Sequence, residues 1–282
     1  MIRPRELPRV RDRLARLLGD PTSPLRSQVR EGEEGYSAVL AQAGRHLRVA
    51  ELFWASEEMS ALAVSAGQTL PEVAVDERPA PAGLLVCDGG IGQLTYRGLE
   101  IPVDALSWGP APAGLLTVWW TARSRLDQAL QPHGVRVDPT VVPPLVPVGG
   151  YALPGAPQPA EQVDPQVRTV VLSLAAAWAL MRQPTLVEQR TTTATTAIRR
   201  AYQRAGRPAP EVTLVTLRRA YLPRAAADRD ESPESGRRFR HRWVVRGHWR
   251  HQPYGPKRGQ RRLTWIPAYI KGPAGAPLLA TE

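Results

Sequence analysis

Residues 240–252, RHRWVVRGHWRHQ, hold the densest set of groups able to do chemistry on an anion. Side chains of a β-strand point alternately to its two faces. Trp243, Val245 and Trp249 therefore share one face with the small Gly247, while Arg242, Arg246, His248 and Arg250 share the other; Val244 is the one apolar exception. Three arginines and a histidine in a row repel one another unless anions neutralise them, and no acidic residue lies between Ser235 and Thr281. Phosphate is the natural complement, because the guanidinium fork donates bidentate hydrogen bonds to it. The same row would suffice for metal-independent RNA cleavage, with His248 as general acid or base and Arg246 and Arg250 stabilising charge on a pentacoordinate phosphate.

Residues 252–262, QPYGPKRGQRR, add Tyr254, Lys257, Arg258, Arg261 and Arg262, and Trp265 and Tyr269 follow. Cations interleaved with aromatics suit single-stranded nucleic acid, whose bases stack while its phosphates pair with arginine. Arg199, Arg200, Arg204 and Arg207, with Arg218 and Arg219, would extend the same field. The plainer readings are a solvated sheet face and a charged hairpin tip over core aromatics. They suit any single arginine better than they suit the whole row. His241, His248 and His251 fall in an H-x6-H-x2-H spacing that sets His248 on the face opposite the other two, with no cysteine or carboxylate nearby. Neither a metal nor a cofactor is expected from that arrangement.

Elsewhere chemistry is sparse. The P-loop, dinucleotide-binding, nucleophile-elbow and zincin patterns are all missing. Glu57 and Glu58 read as acids in the first turn of a helix capped by Ser56. Trp54, Met59 and Leu62 sit at helical spacing and read as core, as do Trp119 and Trp120 on strand-like sequence. The single cysteine, Cys87, admits no intramolecular disulfide and reads as a small buried residue, which fits a reducing, cytoplasmic setting. The opening residues interleave arginine with leucine at helical spacing and do not resemble a signal peptide. The longest apolar run, residues 170–181, is far short of the roughly 20 residues needed to cross a bilayer and reads as a core helix.

With 43% hydrophobic and 22% charged residues the chain can bury a core, and 29 prolines predict many short elements. The net charge of +11 is unevenly spread: residues 190–282 carry 20 Lys and Arg against 6 Asp and Glu, leaving the preceding residues slightly acidic. Of the 37 basic residues 35 are arginine, a bias that base composition could produce without accounting for the crowding at one end.

The periodicities predict an amphipathic helix over 7–18, a loop over 22–35, a helix over 36–55 and another over 56–66. An antiparallel meander follows over 73–122, then a helix over 122–130. The stretch 139–165 is rich in proline and glycine and reads as irregular. Helices are predicted over 167–181 and from 183 to 205, then strands at EVTLVTLRRAYL, 239–252 and 262–271, the last two forming a hairpin across 253–260. The resulting expectation is an α+β protein: a helical and meander domain over 1–150, a linker over 151–164, and a basic domain over 165–282 with helices on a three-stranded antiparallel sheet.

The runs HRWVVRGHWRHQ, WIPAYIKGP and APLL, and more loosely Trp54, Met59, Pro71 and Trp108, resemble an uncharacterised family of actinobacterial, phage and mobile-element proteins. The resemblance implies a mobile-element context and carries over no catalytic residue. The functional expectation is a nucleic-acid-binding protein, RNA ahead of DNA, with no membrane partner. The second reading is a metal-independent endoribonuclease of toxin or phage-defence type. The third is an interaction subunit that docks on an acidic protein.

Overall fold

Arginine and leucine alternating at helical spacing produce α1, Leu7–Gly19, with Leu7, Val10, Leu14 and Leu18 buried. This is a computed structural model, and it describes residues 2–27, 34–96, 98–218 and 243–271. After the single turn α2, Pro24–Ser27, helix α3 covers Glu34–Val49. The helix expected to reach residue 55 stops there, and Glu51–Ala55, sequence ELFWA, forms strand β1. Leu52 and Phe53 are bulky, lie on opposite faces and are both buried, which a strand covered on both sides accommodates and a one-faced helix does not. Ser56 then caps α4, Glu57–Gly67, its Oγ accepting the Met59 N–H at 3.3 Å.

The remaining strands of the first unit are β2 (Glu72–Val73), β3 (Gly83–Cys87), β4 (Gly92–Tyr96), β5 (Leu99–Val103), β6 (Ala105–Ala111) and β7 (Gly114–Ala122), then β8 (Leu145–Pro154), β9 (Gln158–Pro159), β10 (Val187–Thr192) and β11 (Val212–Leu217). Helices α5 (Arg123–Leu130), α6 (Arg168–Met181) and α7 (Thr196–Arg204) complete it. Seven strands form one mixed sheet in the order β10-β11-β1-β3-β6-β7-β8. β1 runs parallel to β3 and β11, and every other pair is antiparallel. The α+β class holds. So does the meander, through β3, β6 and β7, with β4 and β5 as a hairpin set aside from it.

Three expected boundaries move. β8 pairs with β7 along residues expected to be linker, and its prolines are tolerated because β8 is the last strand of the sheet, where one side needs no ladder bonds. The polar helix expected from residue 183 opens instead as β10, whose β-branched Thr191 and Thr192 favour a strand; only Thr196–Arg204 is helical. β11, expected beside the C-terminal strands, lies next to β1. By proximity of Cα atoms the chain divides into Met1–Leu217 and Arg218–Glu282. Among the described residues no helix is long and apolar enough to cross a membrane.

On one face of the sheet α1 and α3 pack over Leu52, Leu84, Val86 and Trp120. On the other, Trp108 stacks on Phe53 with ring centroids 5.8 Å apart and meets Trp178 of α6, which is buried from Val170 to Met181, edge-on at 5.3 Å. Its indole N–H donates to the Ala80 carbonyl at 2.9 Å. Gly83 makes room for it, since a Cβ there would stand 2.2 Å from Trp108 Cζ2.

A polar clamp ties α7 to α1. Arg11 donates to Asp12 at 2.9 Å and to the Ala50 carbonyl at 3.2 Å, and Arg207 pairs with Asp12 while lying over the Tyr202 ring. The Tyr202 hydroxyl donates to the Pro8 carbonyl at 3.2 Å. Burial pushes the Asp12 carboxyl up, but hydrogen bonding with Tyr202 and Arg11, and the charges of Arg11 and Arg207, hold it below its free value of 3.8. Burial first, then Asp12, pushes the Tyr202 phenol up to about 12.

Gly83→Ala is expected to lower the unfolding free energy by about 1–3 kcal/mol, because the new methyl must displace a fully packed indole; urea denaturation reads this directly. The unfolded chain takes up the Asp12 proton before the folded one does, so the stability Asp12 supplies is present above about pH 4 and lost as the pH falls through its folded value. Asp12→Asn should therefore destabilise at neutral pH and flatten the acid limb of a stability-against-pH curve.

Candidate functional site: the basic hairpin

In the second unit the single strand expected over 239–252 is broken, and its described residues fall in two strand pairs. β12 (Trp243–Val245) pairs with β15 (Tyr269–Lys271), and β13 (His248–Tyr254) forms a hairpin with β14 (Gln260–Ile266). Arg246 and Gly247 lie between β12 and β13. A Cβ on Gly247 would stand 2.4 Å from Trp265 Cζ2, so the backbone passes against that ring. Trp249 and Trp265 are register partners and meet edge-on at 5.2 Å, with Trp265 buried.

Exposure follows the expected alternation: Arg246, His248 and Arg250 are exposed, while Val245, Gly247 and Trp249 are half-buried. Arg242 and His241 lie outside the described residues. Register extends the basic face across the hairpin, because residues directly opposite share a side. Arg262 is opposite Gln252 and joins the face of Arg250, where its guanidinium lies 4.5 Å above the Tyr254 ring. Arg261, opposite Pro253, points with Trp249 to the other side. Lys257 and Arg258 form the exposed tip, both with positive φ, at 53° and 55°. Among the described residues no carboxylate pairs with Arg246, Arg250, Lys257, Arg258, Arg261 or Arg262. Arg199, Arg200 and Arg204 are exposed on α7 of the first unit, Arg207 is engaged in the clamp, Arg218 follows β11, and Arg219 lies outside the described residues.

His248 is exposed, and its Nδ1 lies 3.1 Å from the Arg246 carbonyl, to which it donates. The bond leaves Nε2 as the acceptor, with no carboxylate among its described partners to orient the ring for proton transfer.

Residues 151–272 match the model of the AcrVA2-like family, described as anti-CRISPR type V subtype A2. The matched stretch takes in most of the elements from α6 onward and the whole β13–β14 hairpin. A solved structure described as "Crystal structure of AcrVA2" is similar over 93% of this chain and 84% of that one, at 13% identity and a TM-score of 0.38. No curated protein matches. The family match runs against the expected nucleic-acid binder and the expected His248 ribonuclease, because the stretch that holds Arg246, His248 and Arg250 is similar to a family described as anti-CRISPR.

The sequence reading missed a group in the first unit, Trp54, Asp104 and Arg125, which the fold gathers where the central strands end. Asp104 was the available signal, a lone carboxylate between the apolar runs IPV and ALSW. Gly247→Ala should distort the hairpin where it passes Trp265, with loss of near-ultraviolet circular dichroism from the Trp249–Trp265 pair and a destabilisation of about 1–3 kcal/mol in the second unit.

Proposed function

We propose that this chain is an anti-CRISPR protein of phage or mobile-element origin that acts by docking on a protein component of a type V CRISPR system. The observation that carries the reading is the match of residues 151–272 to the anti-CRISPR family model, a stretch that includes the basic hairpin. Arg246, Arg250 and Arg262 offer a cationic face with no carboxylate partner among the described residues, and the complement we assign to it is an acidic patch on that protein. Such a face contributes chiefly to encounter rate and orientation, and it penalises partners that present positive charge.

The direct test is phage plating on cells that target the phage with a type V system. Expression of this chain should restore plaques, and unchanged protection would sink the reading. The docking surface is tested separately by pull-down of the type V effector protein. Arg250→Glu combined with Arg262→Glu should weaken association by roughly tenfold or more, and the wild-type interaction should weaken as salt is raised. Association indifferent to both would remove the hairpin from the interface while leaving the inhibitory function standing.

A further inference from the structure

At one end of the first unit's strands β1, β3 and β7 finish and β6 and β8 begin, and a cavity of about 370 Å³ opens there. Crevices at the carboxyl ends of parallel strands are the usual ligand sites of sheets that contain them, and this volume lies within the range of small-molecule pockets. Ile2, Val86, Ala122 and Leu145 give it apolar walls, and Trp54 lines it as well. The Trp54 indole Nε1 is buried and has no hydrogen-bond partner. Buried donors are ordinarily matched; the Trp119 and Trp178 indoles are unmatched as well, but of the three only Trp54 lines this cavity, where a ligand's acceptor would have an N–H to meet.

At this site Asp104 and Arg125 already neutralise each other. Asp104, almost fully buried, accepts from the Ala122 N–H at 2.8 Å and the Thr121 hydroxyl at 3.4 Å and forms an ion pair with Arg125. Arg125 also donates to the Gly89 carbonyl at 3.2 Å. Gly90, at φ 90°, lets the loop pass the guanidinium: a Cβ there would meet Arg125 Nη1 at 2.9 Å. A bound anion would face Asp104 and the neighbouring Asp88, and a bound cation would face Arg125. Cys87 is no covalent handle, since burial pushes its thiol up to about 12.

We propose that this cavity binds a small, uncharged, largely apolar molecule that presents one hydrogen-bond acceptor, a carbonyl or ring nitrogen, to the Trp54 indole N–H. The inference rests on neither the hairpin nor the family match.

The test uses the full chain labelled with ¹⁵N and three bicyclic probes of similar size: 2-quinolone, 2-naphthoate and 2-naphthylmethylammonium. The Trp54 indole resonance is identified by its loss in Trp54→Phe. Addition of 2-quinolone should shift it saturably, and the two charged probes should leave it in place. Trp54→Phe keeps an aromatic wall without the N–H and should weaken 2-quinolone about tenfold, as read from the other shifted resonances. Ser124→Trp, exposed at the cavity mouth, should block binding without disturbing the core. The proposal is overturned if 2-quinolone gives no saturable shift, if the charged probes shift the resonance equally, or if Ser124→Trp leaves binding unchanged.

Discussion

The first unit depends on burying Glu51–Ala55 as a strand on both faces. Leu52 turns to α1 and α3, and Phe53 turns to Trp108 and, through it, to α6. No other strand of the sheet has parallel neighbours on both sides, so β1 is where the chain's early and late segments meet: β3 follows soon after it, while β11 returns from beyond residue 211. A parallel pair needs a long crossover, and α4 supplies it between β1 and β3. The cost of bringing such distant segments together is recovered by a nearly continuous apolar core beneath and above one five-residue strand.

That dependence explains what the sequence made legible. Local signals were sufficient where the neighbours are local. Leucines at helical spacing in α1, the Ser56 cap, the meander and the C-terminal hairpin all follow from residues within a turn or a ladder of one another. They failed where a distant partner decides. ELFWA extends the helical pattern of α3 until β11 and β3 are there to receive it, and residues 187–192 look helical until β11 provides a ladder. The proline-rich stretch around β8 reads as a linker because proline's cost depends on whether the strand is central or terminal, which no local window reveals.

The hairpin was legible as geometry and illegible as function. Alternation along 245–250 correctly sorted exposed cations from packed tryptophan, because that sorting is a property of any pleated strand. It also predicted the face of Arg246 and Arg250, but charge alone does not distinguish a phosphate backbone from a carboxylate-bearing protein surface. Register added what spacing could not, placing Arg262 with Arg250 and turning Arg261 away. The Trp54, Asp104 and Arg125 group was hidden for the opposite reason: its members come from three separated segments and share nothing in sequence.

The position of β8 at the end of the sheet has a consequence for how molecules of this protein meet in solution. An open sheet invites another chain to add a strand at each side, which is the usual path to self-association. At one side β8 carries Pro147 and Pro154, which lack the N–H a newcomer would need, and at the other β10 presents Glu188 and Arg190, joined to each other in an exposed ion pair. Both flanks are thus poor templates for strand addition, which favours individual molecules over sheet-linked aggregates even at high local concentration.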